Sequence, residues 1–255
     1  MPSKKNTKYL SLLVLFFTFT FGFSQNTTKF KVVLDAGHGG KDPGAVKNGI
    51  KEKDVVLDVV LKIGKILEKN KNIEVIYTRK TDIFIGLRER ANIANKAKAN
   101  LFISVHCNGV KSTSARGTET FVSGFGRLAE QDAAVRENAS ILLEKDYKDN
   151  YEGFDPKDPE SYIIFSLMKN VFREQSIKLA SLMQDEYVKS GRVNRGVQEK
   201  SLAVLARAGM PAVLTEIGFI SNPEEEKFMN SAEGQAEIVK NILDAIIAYK
   251  KQIEI

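Results

Sequence analysis

The chain has 255 residues, 43% hydrophobic and 27% charged, which suits one globular protein with a sizeable core. Its formal charge of +6 falls to +3 when Lys4, Lys5 and Lys8 are set aside, so nucleic acid is not an expected partner. Cys107 is the single cysteine, which excludes an internal disulfide.

Those three lysines precede an apolar run over residues 9–23 and a polar stretch over 24–28. This is the layout of a secretory signal peptide. The expectation is that residues 1–24 are removed and the mature chain is exported, to a periplasm or to the extracellular wall, without stable membrane insertion. An uncleaved signal anchor is the alternative. A mature domain over 29–251 follows, expected as a monomer.

Residues 30–34 read as a buried strand. They lead into Asp35-Ala36-Gly37-His38-Gly39-Gly40-Lys41-Asp42-Pro43-Gly44, a glycine-rich turn around one of only two histidines. Glycine lets the backbone turn sharply and lets ligands come close. Glu52 opens a helix to about residue 70, with Val55, Val56, Val59, Val60, Ile63, Ile66 and Leu67 at helical spacing. A strand over 73–78, a helix over 87–99 and a strand over 101–106 follow, the last ending on the second histidine, His106. Strand alternation sends the next side chain, Cys107, to the opposite face. Another strand is expected over 117–122. The alternation defines an α/β fold, a single domain whose mostly parallel, twisted central sheet is flanked by helices.

Residues 127–172 interrupt the pattern as a helical insertion: helix over 127–148, then polar loop over 149–160, with helical spacing returning over 163–189. The insertion is either surface elaboration or a lid. Short strands are expected over 202–205 and 212–215, the second ending at Glu216. Asn222-Pro223 with Glu224, Glu225 and Glu226 is a helix start, and a last helix spans about 234–250.

Zinc hydrolases commonly use three protein ligands and keep one position for water, and two histidines with a glutamate is one such set. His38 and His106 are the only imidazoles, and Glu52 is the glutamate best placed to join them. Glu216, inside an apolar run, is the candidate base, with burial raising its pKa. The bland alternatives remain open here: a histidine bonded to backbone, a helix-start acid in Glu52, a structural ion pair in Glu216. The glycine turn lacks the spacing of a phosphate loop.

Four segments, taken in order, resemble the motifs of the zinc-dependent N-acetylmuramoyl-L-alanine amidases of the AmiC type. They are Leu34 to Gly44, Lys51-Glu52-Lys53-Asp54, Ser104-Val105-His106-Cys107-Asn108, and Thr215-Glu216 through Asn222. The stretch from Thr78-Arg79-Lys80-Thr81-Asp82 to Arg90 is also similar. Ala36 and Cys107 depart from the family's usual proline and alanine, and neither removes a ligand. The resemblance implies Zn²⁺ held by His38, Glu52 and His106, with Glu216 catalytic. It also implies cleavage of the amide between N-acetylmuramic acid and L-alanine in peptidoglycan. It further suggests that the insertion covers the site until a protein activator moves it, with Glu137 or Glu144 as the acid that reaches the metal. The rivals are a zinc peptidase, a non-catalytic wall-binding regulator and a nucleotide-binding protein.

Overall fold

The computed structural model describes residues 29–253 apart from 125–130, 152, 156–157, 159–160 and 163–170. The expected leader, and the first part of the helical stretch expected over 163–189, lie outside the described residues.

In chain order the larger elements are β1 (Phe30–Ala36), β2 (Val46–Lys47), β3 (Ile50–Lys51), α1 (Glu52–Leu67), β4 (Ile73–Tyr77), α2 (Leu87–Ala97), β5 (Leu101–Asn108) and β6 (Thr118–Ser123). There follow α3 (Asp132–Asn138), α4 (Arg173–Lys189), β7 (Asn194–Lys200), β8 (Ala212–Phe219), α5 (Pro223–Asn230) and α6 (Ala232–Ile253). Six strands form one sheet in the order β4-β1-β5-β8-β6-β7. β4, β1, β5 and β8 are mutually parallel. β6 runs antiparallel to β8 and parallel to β7, so the sheet is mostly parallel, as expected.

Alternation along the strands divides the core into two layers. Leu101, Ile103, Val105 and Cys107 of β5 share one apolar cluster with Val56, Val60 and Ile63 of α1 and Ile242 and Ile246 of α6. Phe102 of β5, Leu214 of β8 and Phe121 of β6 belong to the other, with Ala94 of α2 and Ala134 of α3. Cys107 therefore points away from the face that His106 shares, as alternation requires. α1 has no side-chain cap at its start. Its buried valines and isoleucine hold it instead, at about 1.5–3 kcal/mol each against about 1 kcal/mol for a cap. α5 begins as the sequence indicates: the Asn222 side chain accepts from the backbone N–H groups of Glu224 (3.0 Å) and Glu225 (3.2 Å), with Pro223 at the first turn.

Three expectations need correction. The strand expected over 202–205 is a helical turn, Ala203–Ala206. The strand lies earlier, at β7, where Asn-Arg-Gly-Val-Gln-Glu-Lys carries no apolar alternation because it is a partly exposed edge. The long helix expected over 127–148 is broken: α3 ends at Asn138 and passes into a 3₁₀ turn, Ala139–Leu143, before a short helix, Tyr147–Asn150. Finally, β8 continues to Phe219, which places Glu216 inside the strand and not at its end.

Candidate metal centre

The site forms where β1 and β5 finish. Beyond Ala36 the chain turns with His38 at φ +58°, a conformation costly for a non-glycine residue unless the surroundings impose it. Two buried arginines impose it. Arg79 donates from Nε to the Ala36 carbonyl (2.9 Å) and from Nη2 to those of Gly37 (2.7 Å) and Lys53 (2.8 Å). Arg90 donates to the carbonyls of Ala36 (2.7 Å) and His38 (2.6 Å). Arg90 also pairs at 2.7 Å with Asp35, whose carboxylate accepts from Thr78 Oγ1 (2.5 Å) and Ser104 Oγ (2.6 Å). Burial would raise the Asp35 pKa, but the guanidinium and these hydroxyls hold it below the usual carboxylate value. The turn's glycines make room. A Cβ at Gly37 would sit 2.4 Å from the His106 ring, and one at Gly44 would sit 2.6 Å from both Glu52 Oε2 and the His38 ring.

Four side chains converge here: His38, Glu52, His106 and Glu137, each offering a donor atom within 4.8 Å of the others, all buried. His38 Nε2 lies 3.1 Å from Glu52 Oε1 and 3.5 Å from Glu137 Oε2. His106 Nδ1 lies 3.1 Å from Glu52 Oε1 and 2.8 Å from Glu137 Oε2. The rings meet edge to face at 4.8 Å. Outside the cluster, His38 Nδ1 bonds Asp42 Oδ2 at 2.8 Å, which fixes the ring so that Nε2 faces inward. Glu52 sits at the first turn of α1 but does not cap it: its carboxylate accepts from the N–H groups of Cys107 (2.9 Å) and Ala45 (2.8 Å).

A divalent cation fits this donor set. His38 Nε2 and Glu137 Oε2 are buried polar atoms without a well-formed hydrogen bond among the described residues, and such atoms need a partner. Two imidazoles and two carboxylates supply the nitrogen and oxygen ligands that zinc and related ions take. Burial disfavours a charged His106, but the Glu137 and Glu52 carboxylates override it and lift the pKa to about 10. His38 moves the same way, against burial, through Glu52, Asp42 and Glu137. Glu137 is held low by His106 despite its burial.

Glu216 lies beside this cluster. It is fully buried and pairs in register with His106 on one side and with Glu119 of β6 on the other. Neither of its oxygens has a hydrogen-bond partner among the described residues. Burial first, and then the charge of Glu137 and that of Glu52, push its pKa well up.

The structure thus brings His38, Glu52 and His106 together and sets Glu216 next to them. Of the two acids nominated from the insertion, Glu137 on α3 enters the cluster. Glu144 does not: it accepts from the Leu87 N–H at the start of α2 (3.1 Å) and from Tyr151 Oη (2.6 Å). Asp42 and the Arg79–Arg90 pair were not foreseen in these roles. The spacing of Asp42, four residues beyond His38, was the available signal for the first; nothing local marks the arginines as buried.

Two imidazoles and two carboxylates at the strand ends of an α/β sheet define a protein able to hold a divalent metal ion. The chain belongs to the N-acetylmuramoyl-L-alanine amidase family, whose sequence profile matches residues 32–248. It is 33% identical over 226 residues to the N-acetylmuramoyl-L-alanine amidase AmiC of Escherichia coli O6:H1, covering 86% of this chain and 52% of that one. It is 36% identical over 220 residues to the endolysin of Bacillus phage SPP1, covering 84% and 66%. The chain therefore spans about half to two thirds of the length of these relatives. Among solved structures, the N-acetylmuramoyl-L-alanine amidase of Clostridium difficile 630 superposes with a TM-score of 0.67 at 25% identity, covering 88% of this chain and 98% of that one. No helix among the described residues is long and apolar enough to cross a membrane.

Proposed function

We propose that this chain is a zinc-dependent hydrolase that cuts the amide between N-acetylmuramic acid and the L-alanine of the peptidoglycan stem. The observation that carries this reading is the convergence of His38, Glu52, His106 and Glu137 within 4.8 Å, beside a buried, unpartnered Glu216, in a chain of the amidase family. His38, Glu52 and His106 are the standing ligands, with residues 29–251 as the catalytic domain. A zinc ion held there supplies Lewis-acid polarisation of the amide carbonyl and acidifies water. Glu216 takes the proton of the attacking water and delivers it to the leaving amine. The basic, apolar leader over 1–24 supports export, which places the enzyme with its substrate outside the cytoplasm.

Glu137 is the brake. Its carboxylate lies among the three standing ligands and fills the place that water and substrate need while α3 is seated. An activator protein that draws α3 away would open the metal.

The test of the catalytic assignment is Glu216→Ala, assayed on soluble muropeptides. Turnover should fall by several orders of magnitude while one equivalent of zinc is retained. A folded variant that digests muropeptides near the wild-type rate contradicts the assignment.

A further inference from the structure

A second cavity, about 210 Å³, opens on the far side of Glu216 from the metal cluster. Its floor is Glu119 and Phe121 of β6, its wall Arg195 and Gln198 of β7, and Arg136 and Asp132 of α3 roof it. Lys200 also lines it. Glu119 is fully engaged: Oε1 accepts from Asn108 Nδ2, and Oε2 accepts from Arg195 Nε (3.2 Å) and Gln198 Nε2 (3.0 Å). Arg136 donates to Asn108 Oδ1 at 2.5 Å. Both acceptor oxygens of Glu119 are thus used.

Arg195 is the distinctive member. Its guanidinium lies over the Phe219 ring at 4.9 Å and is tethered through Nε alone. Its two terminal nitrogens have no partner among the described residues. A stacked, tethered guanidinium with a free fork is pre-organised for a planar anion, which it grips through two parallel hydrogen bonds. The fork also lies at a useful distance. His106, Glu216 and Glu119 are in register on three neighbouring strands, so about 10 Å separates the metal cluster from the Glu119–Arg195 pair. An extended peptide covers that span in about three residues.

We propose that this cavity is a carboxylate subsite: Arg195 holds an acid group carried within the first three residues of the stem peptide beyond the scissile amide. The inference rests on the amidase reading and adds to it a preference for free acid over amide. The roof belongs to α3, the helix that carries Glu137, so seating α3 closes the metal and narrows this subsite together.

The test uses three N-acetylmuramoyl tripeptides: one with all its carboxylates free, one amidated at the second residue, one amidated at the third. Each is given to the zinc-loaded full chain, to Glu137→Ala, and to Glu137→Ala combined with Arg195→Ala or Arg195→Lys. One of the two amidations should lower kcat/KM about tenfold, mainly through KM, in the chains that keep Arg195. Arg195→Ala should abolish the difference by weakening the free-acid substrate alone, and Arg195→Lys should restore part of it. Equal cleavage of all three peptides by the Arg195 chains, or a preference that survives Arg195→Ala, overturns the subsite. Cleavage of none of them by any chain contradicts the amidase reading itself, and the subsite falls with it. Arg195 lies on a partly exposed edge strand, so the variants keep the fold, checked by thermal melting.

Discussion

Two regions meet at the metal cluster, and they are built differently. The ends of β1 and β5 with the start of α1 form a frame in which His38 and Glu52 are fixed from behind. His38 is held by Asp42, and its turn by Arg79 and Arg90; Glu52 is held by the N–H groups of Ala45 and Cys107. The segment bearing Glu137 is attached piecemeal. α3 is seven residues long and touches the frame through Glu137, through Arg136 on Asn108, and through Asn138, which donates to Ser201 O and accepts from Ala203 N. Further along, Glu144 and Tyr151 clasp the start of α2. The frame buries charge in a closed network; the other region places one carboxylate near the end of a short helix whose Ala133 and Ala134 pack into the core. On the proposed reading, the standing ligands come from the first region and the blocking carboxylate from the second.

The contrast can be broken at the frame first. Asp35→Asn leaves Arg90 buried without its counter-charge, which costs about 3–5 kcal/mol; urea denaturation measures it. The pH dependence has a definite sign. Because the folded pKa of Asp35 is depressed, its contribution is present above the ordinary value of about 4 and is lost as pH falls through the lower, folded value. Melting temperature between pH 5 and 2 should drop less steeply in Asp35→Asn than in the wild type. An equal slope would remove Asp35 from the account.

A smaller effect is expected one bond from the metal. Asp42→Asn keeps the turn but weakens the carboxylate that orients His38, so zinc affinity should fall about 10–100-fold, read by competition with a chromogenic chelator. The chain should stay folded, because the Arg79 and Arg90 bonds to the turn remain. Unchanged affinity would show that the ring is oriented by packing alone.

The smallest change falls on the movable region. Glu137→Ala should raise cleavage of soluble muropeptides about tenfold while leaving the melting temperature of the zinc-loaded chain nearly unaltered. A folded variant with unchanged or lower activity would mean that α3 shapes the groove and does not block it.

How far the sequence discloses this arrangement follows the same division. The candidate site residues were legible because each sits next to a local signal and inside a motif that resembles the family. His38 lies in a glycine turn after an apolar strand, His106 ends another strand, Glu52 opens an amphipathic helix, and Glu216 interrupts an apolar run. The layered α/β order was legible for the same reason. Glu137 emerged only as one of two nominated acids, since its place depends on how α3 docks, a tertiary matter that periodicity does not carry. β7 was missed because its exposed face is polar, and with it the Arg195 cavity. Arg79 and Arg90 lay in a stretch similar to the family, but nothing local gave them a role; burial against backbone carbonyls makes them part of the site.

The most direct test of the central claim is a zinc titration of the chelator-stripped chain by calorimetry, repeated on His38→Ala and His106→Ala. The account predicts one ion per wild-type chain, bound more tightly as pH rises because two imidazolium protons must leave, and no specific binding in either variant. Binding that survives both substitutions, or a wild-type chain that takes up no zinc, would contradict it.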